Sequence, residues 1–177
     1  MIIYVMEKKL IKNLLKNIFL LLCLASCGFR PMYKETPYND LSQKTSEIAI
    51  PPVKGFDGQY GIELRNNLLN KLTPKGKPEN PIYVLDVTLH EPSISDYTIK
   101  TDGVASSKLV RMKADYIFKK KGSADVLLKK TVSTSAPYNL LKNQFSTEML
   151  KKEAVDLSVM DLANQIYFSI LIYFAEK

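Results

Sequence analysis

VRMKADYIFK, residues Val110 to Lys119, alternates apolar and polar side chains along its length. Val110, Met112, Ala114, Tyr116 and Phe118 fall on one side, and Arg111, Lys113, Asp115 and Lys119 on the other. Successive side chains of a strand point to opposite faces, so this pattern predicts a strand in a sheet with one dry and one wet face. The run ends in Lys119-Lys120-Lys121-Gly122-Ser123, which is turn chemistry. A returning strand follows, with Val126, Leu128 and Lys130 alternating against Leu127 and Lys129. It fades through Thr131 to Ala136 and is closed by Pro137.

Upstream, Ile82 to His90 alternates Tyr83, Leu85, Val87 and Leu89 against Asp86, Thr88 and His90. Pro92 interrupts it, Ile94 to Thr101 extends again, and Asp102-Gly103 supplies another turn. A first strand is expected over Glu47 to Val53, stopped by Pro51-Pro52. Asp57 is placed to cap a helix whose stripe, Tyr60, Leu64, Leu68 and Leu72, recurs every four residues, and Thr73-Pro74 and Gly76 end it. A second helix is expected after a cap at Ser146 or Thr147, with Glu148 in its first turn, where the helix dipole favours an anion. Its broad face carries Leu150, Ala154, Leu157, Leu162, Ile166 and Ile170. The end of that helix, Ile166 to Phe174, is apolar nearly all round, but nine residues preceded by Asp161, Asn164 and Gln165 do not make a membrane span. Such an end is either buried by its own sheet or turned towards a partner. Consecutive strands joined by short turns are expected to pair antiparallel. The fold class is therefore α+β: an antiparallel or mixed sheet of about four strands with two helices packed on one face.

The N-terminal region sets the compartment. Lys8, Lys9, Lys12 and Lys16 precede an apolar run from Ile18 to Ala25, and Leu24-Ala25-Ser26-Cys27 follows. Basic, apolar and small residues in that order predict a secretory signal over residues 1–26, and the run is too short to span a bilayer. Met6 is an alternative start to Met1. L-A-S-C resembles the lipobox of bacterial lipoproteins, which implies a diacylglycerol on the Cys27 thiol. Cys23 lies in the segment to be removed, so Cys27 would otherwise be a lone thiol in an oxidising compartment. Gly28, rather than an aspartate, follows the cysteine, and by the same resemblance the protein is expected at the outer membrane, facing the periplasm. Gly28 to Thr45, polar and with Pro31 and Pro37, reads as a tether (27–45), leaving a single domain over 46–177.

The full chain of 177 residues carries a net charge of +7. Loss of residues 1–26 removes four lysines and one glutamate and leaves +4, which suits contact with phosphorylated lipid or a membrane surface. Nucleic acid is excluded by the compartment more than by charge. His90 is the only histidine, next to Glu91, and reads as a solvated strand residue. No G-x-S-x-G elbow, phosphate loop or G-x-G-x-x-G appears, and Ser106, Ser107 and Ser133 are ordinary strand or turn residues. No enzyme, metal or cofactor is expected. Cations concentrate on the hairpin: Lys108, Arg111, Lys113, Lys119, Lys120, Lys121, Lys129 and Lys130. Lysines on edge strands guard against aggregation. The alternative is an anion-binding strip, with Arg111 and Lys113 about 7 Å apart on one face.

Four stretches resemble the LptE family of lipopolysaccharide-assembly lipoproteins. They are C-G-F-R-P-M-Y from Cys27 to Tyr33, A-D-Y-I-F from Ala114 to Phe118, S-A-P-Y-N from Ser135 to Asn139, and D-L-A-N-Q-I from Asp161 to Ile166. With the strand, helix, strands, helix order, the resemblance covers essentially all of the mature chain. It implies a plug inside an LptD-type outer-membrane barrel, held to the membrane by a lipid anchor, that contacts lipopolysaccharide through basic residues on strands and turns. Arg111, Lys113, Lys119, Lys120 and Lys121 are the candidates by location. The other reading is a periplasmic lipoprotein serving as accessory subunit of an ABC-type lipid or solute transporter.

Overall fold

In a computed structural model of the chain, residues 43–56, 58–99 and 105–176 are described. Cys27, the expected leader and most of the expected tether lie outside the described residues. Residues 43–46 form a helical turn and Thr45 is buried, so the folded body takes in the end of the stretch expected as tether.

The expected long strand, β5 (Ala105–Lys120), is the axis of the sheet. On one side it pairs antiparallel along its length with β6 (Val126–Asn139). On the other it pairs with two strands in succession, β3 (Tyr83–Leu89) and β4 (Ser93–Ile99). The sequence marks a break at Pro92 between them; the three-residue link containing it is extended rather than folded back, so both strands run along the same edge of β5. Beyond β3 lie two short strands, β1 (Ile48–Ala49) and β2 (Lys54–Gly55), each parallel to β3. The sheet therefore has six strands rather than about four and is mixed.

The first strand is shorter than the Glu47 to Val53 expected. Pro51-Pro52 stops it, as their missing N–H groups predict. The chain then pairs again at β2, where Gly55 takes a positive φ of 93°. A Cβ there would sit 2.3 Å from the Leu89 carbonyl oxygen, so this crossing needs glycine. Proline does not close β6: Pro137 lies within it, opposite Leu109, on an edge strand that can spare a donor.

Helix α1 (Gln59–Leu72) buries Leu64, Leu68 and Leu72, the expected stripe, with Tyr60 partly buried beside them. It starts after Gly58 without a side-chain cap; Asp57 lies outside the described residues. Thr73 ends it, its N–H and its hydroxyl both donating to the Leu69 carbonyl. Helix α2 (Gln144–Ala175) starts three to four residues earlier than expected. Its cap is Asn143, whose Oδ1 accepts from the Phe145 and Ser146 N–H groups at 2.9 and 3.4 Å. Thr147 serves the preceding turn instead: the Leu141 N–H donates to its hydroxyl, and that hydroxyl donates back to Leu141 and Asn143 carbonyls. Glu148 accordingly sits past the first turn, which holds no acidic residue.

Both helices pack on the dry face. Helix α2 lies across β5 and β6, and α1 lies against α2. The core joins Leu85, Val87 and Leu89 of β3, the alternate residues Val110 to Phe118 of β5, and the inner residues of both helices. Helix α2 presents Ala154, Val155, Ser158, Val159, Leu162, Ala163, Ile166, Ile170 and Phe174 inward. Leu157, expected on that face, is 49% exposed, and Ser158 takes the inward position. Ser158 can do so because its hydroxyl donates 2.8 Å to the Ala154 carbonyl and needs no water.

By length and composition α2 could cross a membrane. Here one side of it covers the sheet. Its apolar end closes the core with an aromatic cluster: Tyr83 stacks on Phe118 at 5.3 Å, and Phe174 meets both rings edge-on at 5.3 and 5.7 Å. Phe168 and Ile172, on the other side of the same turns, remain more than half exposed. The expected burial against its own sheet thus holds for one side of that end, and the other side is exposed.

Candidate functional site

The pleat that buries Val110 to Phe118 sends Arg111, Lys113, Asp115, Ile117 and Lys119 to the opposite, wet face. Register places β6 residues Ser135, Ser133, Thr131 and Lys129 beside the first four. From the other side come Ser93 opposite Arg111, Thr88 opposite Asp115, and Asp86 opposite Ile117. Four strands therefore lay a row of cations and hydroxyls across the middle of the sheet, forming two shallow grooves of about 460 and 600 Å³.

Within the first groove, Arg111 Nη1 donates to the Ser95 hydroxyl at 2.9 Å. Ser93, Ser133 and Ser135 line it with Arg111 and Lys113, and Glu91 and His90 border the same groove. Such a fringe of neutral donors around two cations can hold an anionic oxygen from several directions, and bonds to a charged partner are the stronger kind. Lys113 forms no salt bridge among the described residues, and neither do Lys120, Lys121, Lys129 or Lys130. They can neutralise a ligand without first giving up a partner.

The second groove is balanced differently. Asp115 Oδ1 accepts from the Thr131 hydroxyl at 2.6 Å and Oδ2 meets His90 Nε2 at 2.7 Å. The Thr131 bond, then His90, hold the Asp115 carboxyl below its ordinary range. His90, just after β3, is exposed as expected and is in addition the bonded partner of this carboxylate. Lys119 is likewise engaged, its Nζ 2.8 Å from Asp86 Oδ2.

Of the five candidate cations, Arg111, Lys113 and Lys119 share the wet face. Lys120 alternates away from it at the strand end, and Lys121 stands in the turn. What alternation missed are the cross-strand companions: Ser93, Ser95, Ser133 and Ser135 around Arg111, and His90 and Thr131 on Asp115. Their only signal was polar phase within each strand, which places a side chain on a face without naming its neighbour. Among the described residues, no three His, Cys, Asp or Glu side chains gather as metal ligands.

Fold and site together define an α+β two-layer domain whose helices cover one sheet face while the other stays open, cationic and rich in hydroxyls. Solved proteins share this architecture. A candidate lipoprotein from Caulobacter crescentus CB15 superposes with a TM-score of 0.59 at 16% identity, over 77% of this chain and 96% of that one. A minor lipoprotein from Acinetobacter baumannii gives 0.52 at 16% identity, over 71% and 90%. The rare lipoprotein B from Shewanella oneidensis gives 0.54 at 12% identity, over 73% and 96%. The chain thus has the fold of bacterial lipoproteins. No family model and no curated protein matches its sequence.

Proposed function

We infer that the protein is a lipid-anchored lipoprotein of the outer membrane that forms a plug with an LptD-type barrel and assists lipopolysaccharide assembly without catalysis. The observation that carries this reading is the open wet face, where Arg111 and Lys113, the latter without a salt bridge among the described residues, stand among serine hydroxyls from two neighbouring strands. Lipopolysaccharide presents phosphates and sugar hydroxyls, and that mixture of cations and neutral hydroxyls matches both. Support in fold comes from rare lipoprotein B, the LptE protein, which shares the two-layer architecture. The L-A-S-C segment supports a diacylglycerol on Cys27 and, with Gly28 after it, delivery to the outer membrane. Exposed Phe168 and Ile172 supply apolar surface for a barrel wall.

The mechanism requires no bond-making. The barrel would fix the domain, and the cationic row would take lipid A phosphates from their neighbours in a packed aggregate, loosening it for transfer. Two measurements test this. Affinity purification of the full chain from detergent-solubilised outer membrane should bring down a barrel of LptD type; recovery of inner-membrane transporter subunits instead would replace the reading with the ABC-accessory one. Arg111→Glu with Lys113→Glu should weaken lipopolysaccharide binding at least tenfold in a pull-down and leave the barrel attached. Unchanged lipopolysaccharide binding would reduce these side chains to a solvated face.

A further inference from the structure

A third concavity lies away from the cationic row, between the chain from Ile48 to Pro52 and the C-terminal half of α1. It holds about 710 Å³, the largest of the grooves described here. One wall is extended backbone, five residues long, spanning about 13 Å between its end Cα atoms. The other is a single stripe of α1, Arg65, Leu69 and Thr73, at successive four-residue steps and so about 12 Å long. The loop through Pro74, Gly76, Lys77 and Pro78 borders one end.

Two straight walls of equal length make a trough, which suits an extended chain of about four residues. Its lining explains what such a chain should carry. The Ile48 and Ile50 side chains are buried beneath it, so its apolar surface comes from Ala49 and Leu69 and from the rigid edges Pro51, Pro52, Pro74 and Pro78. The charged lining residues are Arg65 and Lys77, and no acidic residue lines the trough. Arg65 is held in place, its Nε donating 3.0 Å to the Ile50 carbonyl across the trough's base. The guanidinium is thereby fixed before any ligand arrives, with its Nη groups unengaged among the described residues. A fixed fork of donors is the geometry that recognises a carboxylate in two-point fashion. The amide of Asn70 on the same helix can bond the backbone of an extended peptide.

We propose that this trough docks an extended, apolar and acidic segment of a partner polypeptide, with a carboxylate on Arg65 and a second anion near Lys77. A peptide fits the observations better than an acyl lipid. The trough is short and open, its walls are straight, and its cations stand at the rim of an apolar strip about as long as four residues. The site is separate from the wet face and does not depend on the lipopolysaccharide reading.

Fluorescence anisotropy on the full chain tests it with a labelled peptide of sequence IEVD and its neutral counterpart IQVN. The acidic peptide should bind at least tenfold more tightly. Arg65→Gln and Lys77→Glu should each remove most of that preference, and Lys142→Glu, distant from the trough, should leave it intact. Lys77 makes no bond within the described fold, so its variant stays informative if loss of the Arg65 contact to Ile50 destabilises the protein. Equal binding of the two peptides, or a preference that survives both variants, overturns the proposal. So does displacement of the peptide by phosphatidylglycerol vesicles through the same residues, which would make the occupant a lipid. A self-association that both variants abolish would make it a second copy of this chain.

Discussion

The two faces of the sheet are built from the same strand and obey different physics. On the dry face, Leu85, Met112, Ala114 and Phe118 have no measurable exposure or almost none, and every neighbour is a packing partner. On the wet face the neighbours are chosen by charge and hydrogen bonding: Thr131 and His90 on Asp115, Asp86 on Lys119, Ser95 on Arg111. The first face should carry the stability and the second should tolerate change. This is the expected division where side-chain burial, rather than surface ion pairing, dominates folding.

The comparison is broken or sharpened most strongly at Phe118. Phe118→Ala removes a ring shared by Tyr83, Tyr173 and Phe174 and should cost about 3–5 kcal/mol in urea unfolding. A loss of less than about 1 kcal/mol would mean that the aromatic cluster does not hold α2 to the sheet. A smaller effect is expected at the helix start. Asn143→Ala leaves two N–H groups of α2 without their acceptor and should lower stability by about 1 kcal/mol, whereas Ser146→Ala should change it little. Equal effects would return the cap to Ser146.

The smallest effect lies on the wet face. Asp115 is held below its ordinary pKa in the folded protein, so its ionised form is favoured by folding. That contribution is present above the unfolded value, near pH 4, and fades as pH falls through the lower folded one. Thermal unfolding of the wild type should therefore lose stability more steeply below pH 4 than that of Asp115→Asn. Parallel curves would show that the Thr131 and His90 bonds add nothing to folding.

Much of this division was legible in the residues, because burial follows period. The alternation from Val110 to Phe118 and the stripe Leu64, Leu68, Leu72 each needed only local geometry. Local geometry fails where a partner is distant. Nothing in the two residues of β1 or of β2 announces a parallel pairing with β3, which requires the whole of α1 as a crossover. Pro92 marks a break but does not tell whether the chain folds back or runs on. Leu157 was preferred over Ser158 by hydrophobicity, yet a serine that bonds its own helix backbone is an acceptable core residue. Asn143, Ser146 and Thr147 are all good caps by type, and only the bonds that Asn143 accepts from Phe145 and Ser146, with Thr147 turned to Leu141, decide among them. At the candidate site the cations were visible as a cluster, and the hydroxyls that make it a site became visible only with cross-strand register.

Helix α2 follows every strand in the chain, and this order matters while the polypeptide is being made. Until Gln144 onward has left the ribosome, the rows headed by Leu85 and Phe118 have no lid and stay a sticky, uncommitted surface. Helper proteins that shield greasy segments therefore have a long interval in which to bind, and a polypeptide still unlocked in this way is the form that can be threaded through a narrow pore.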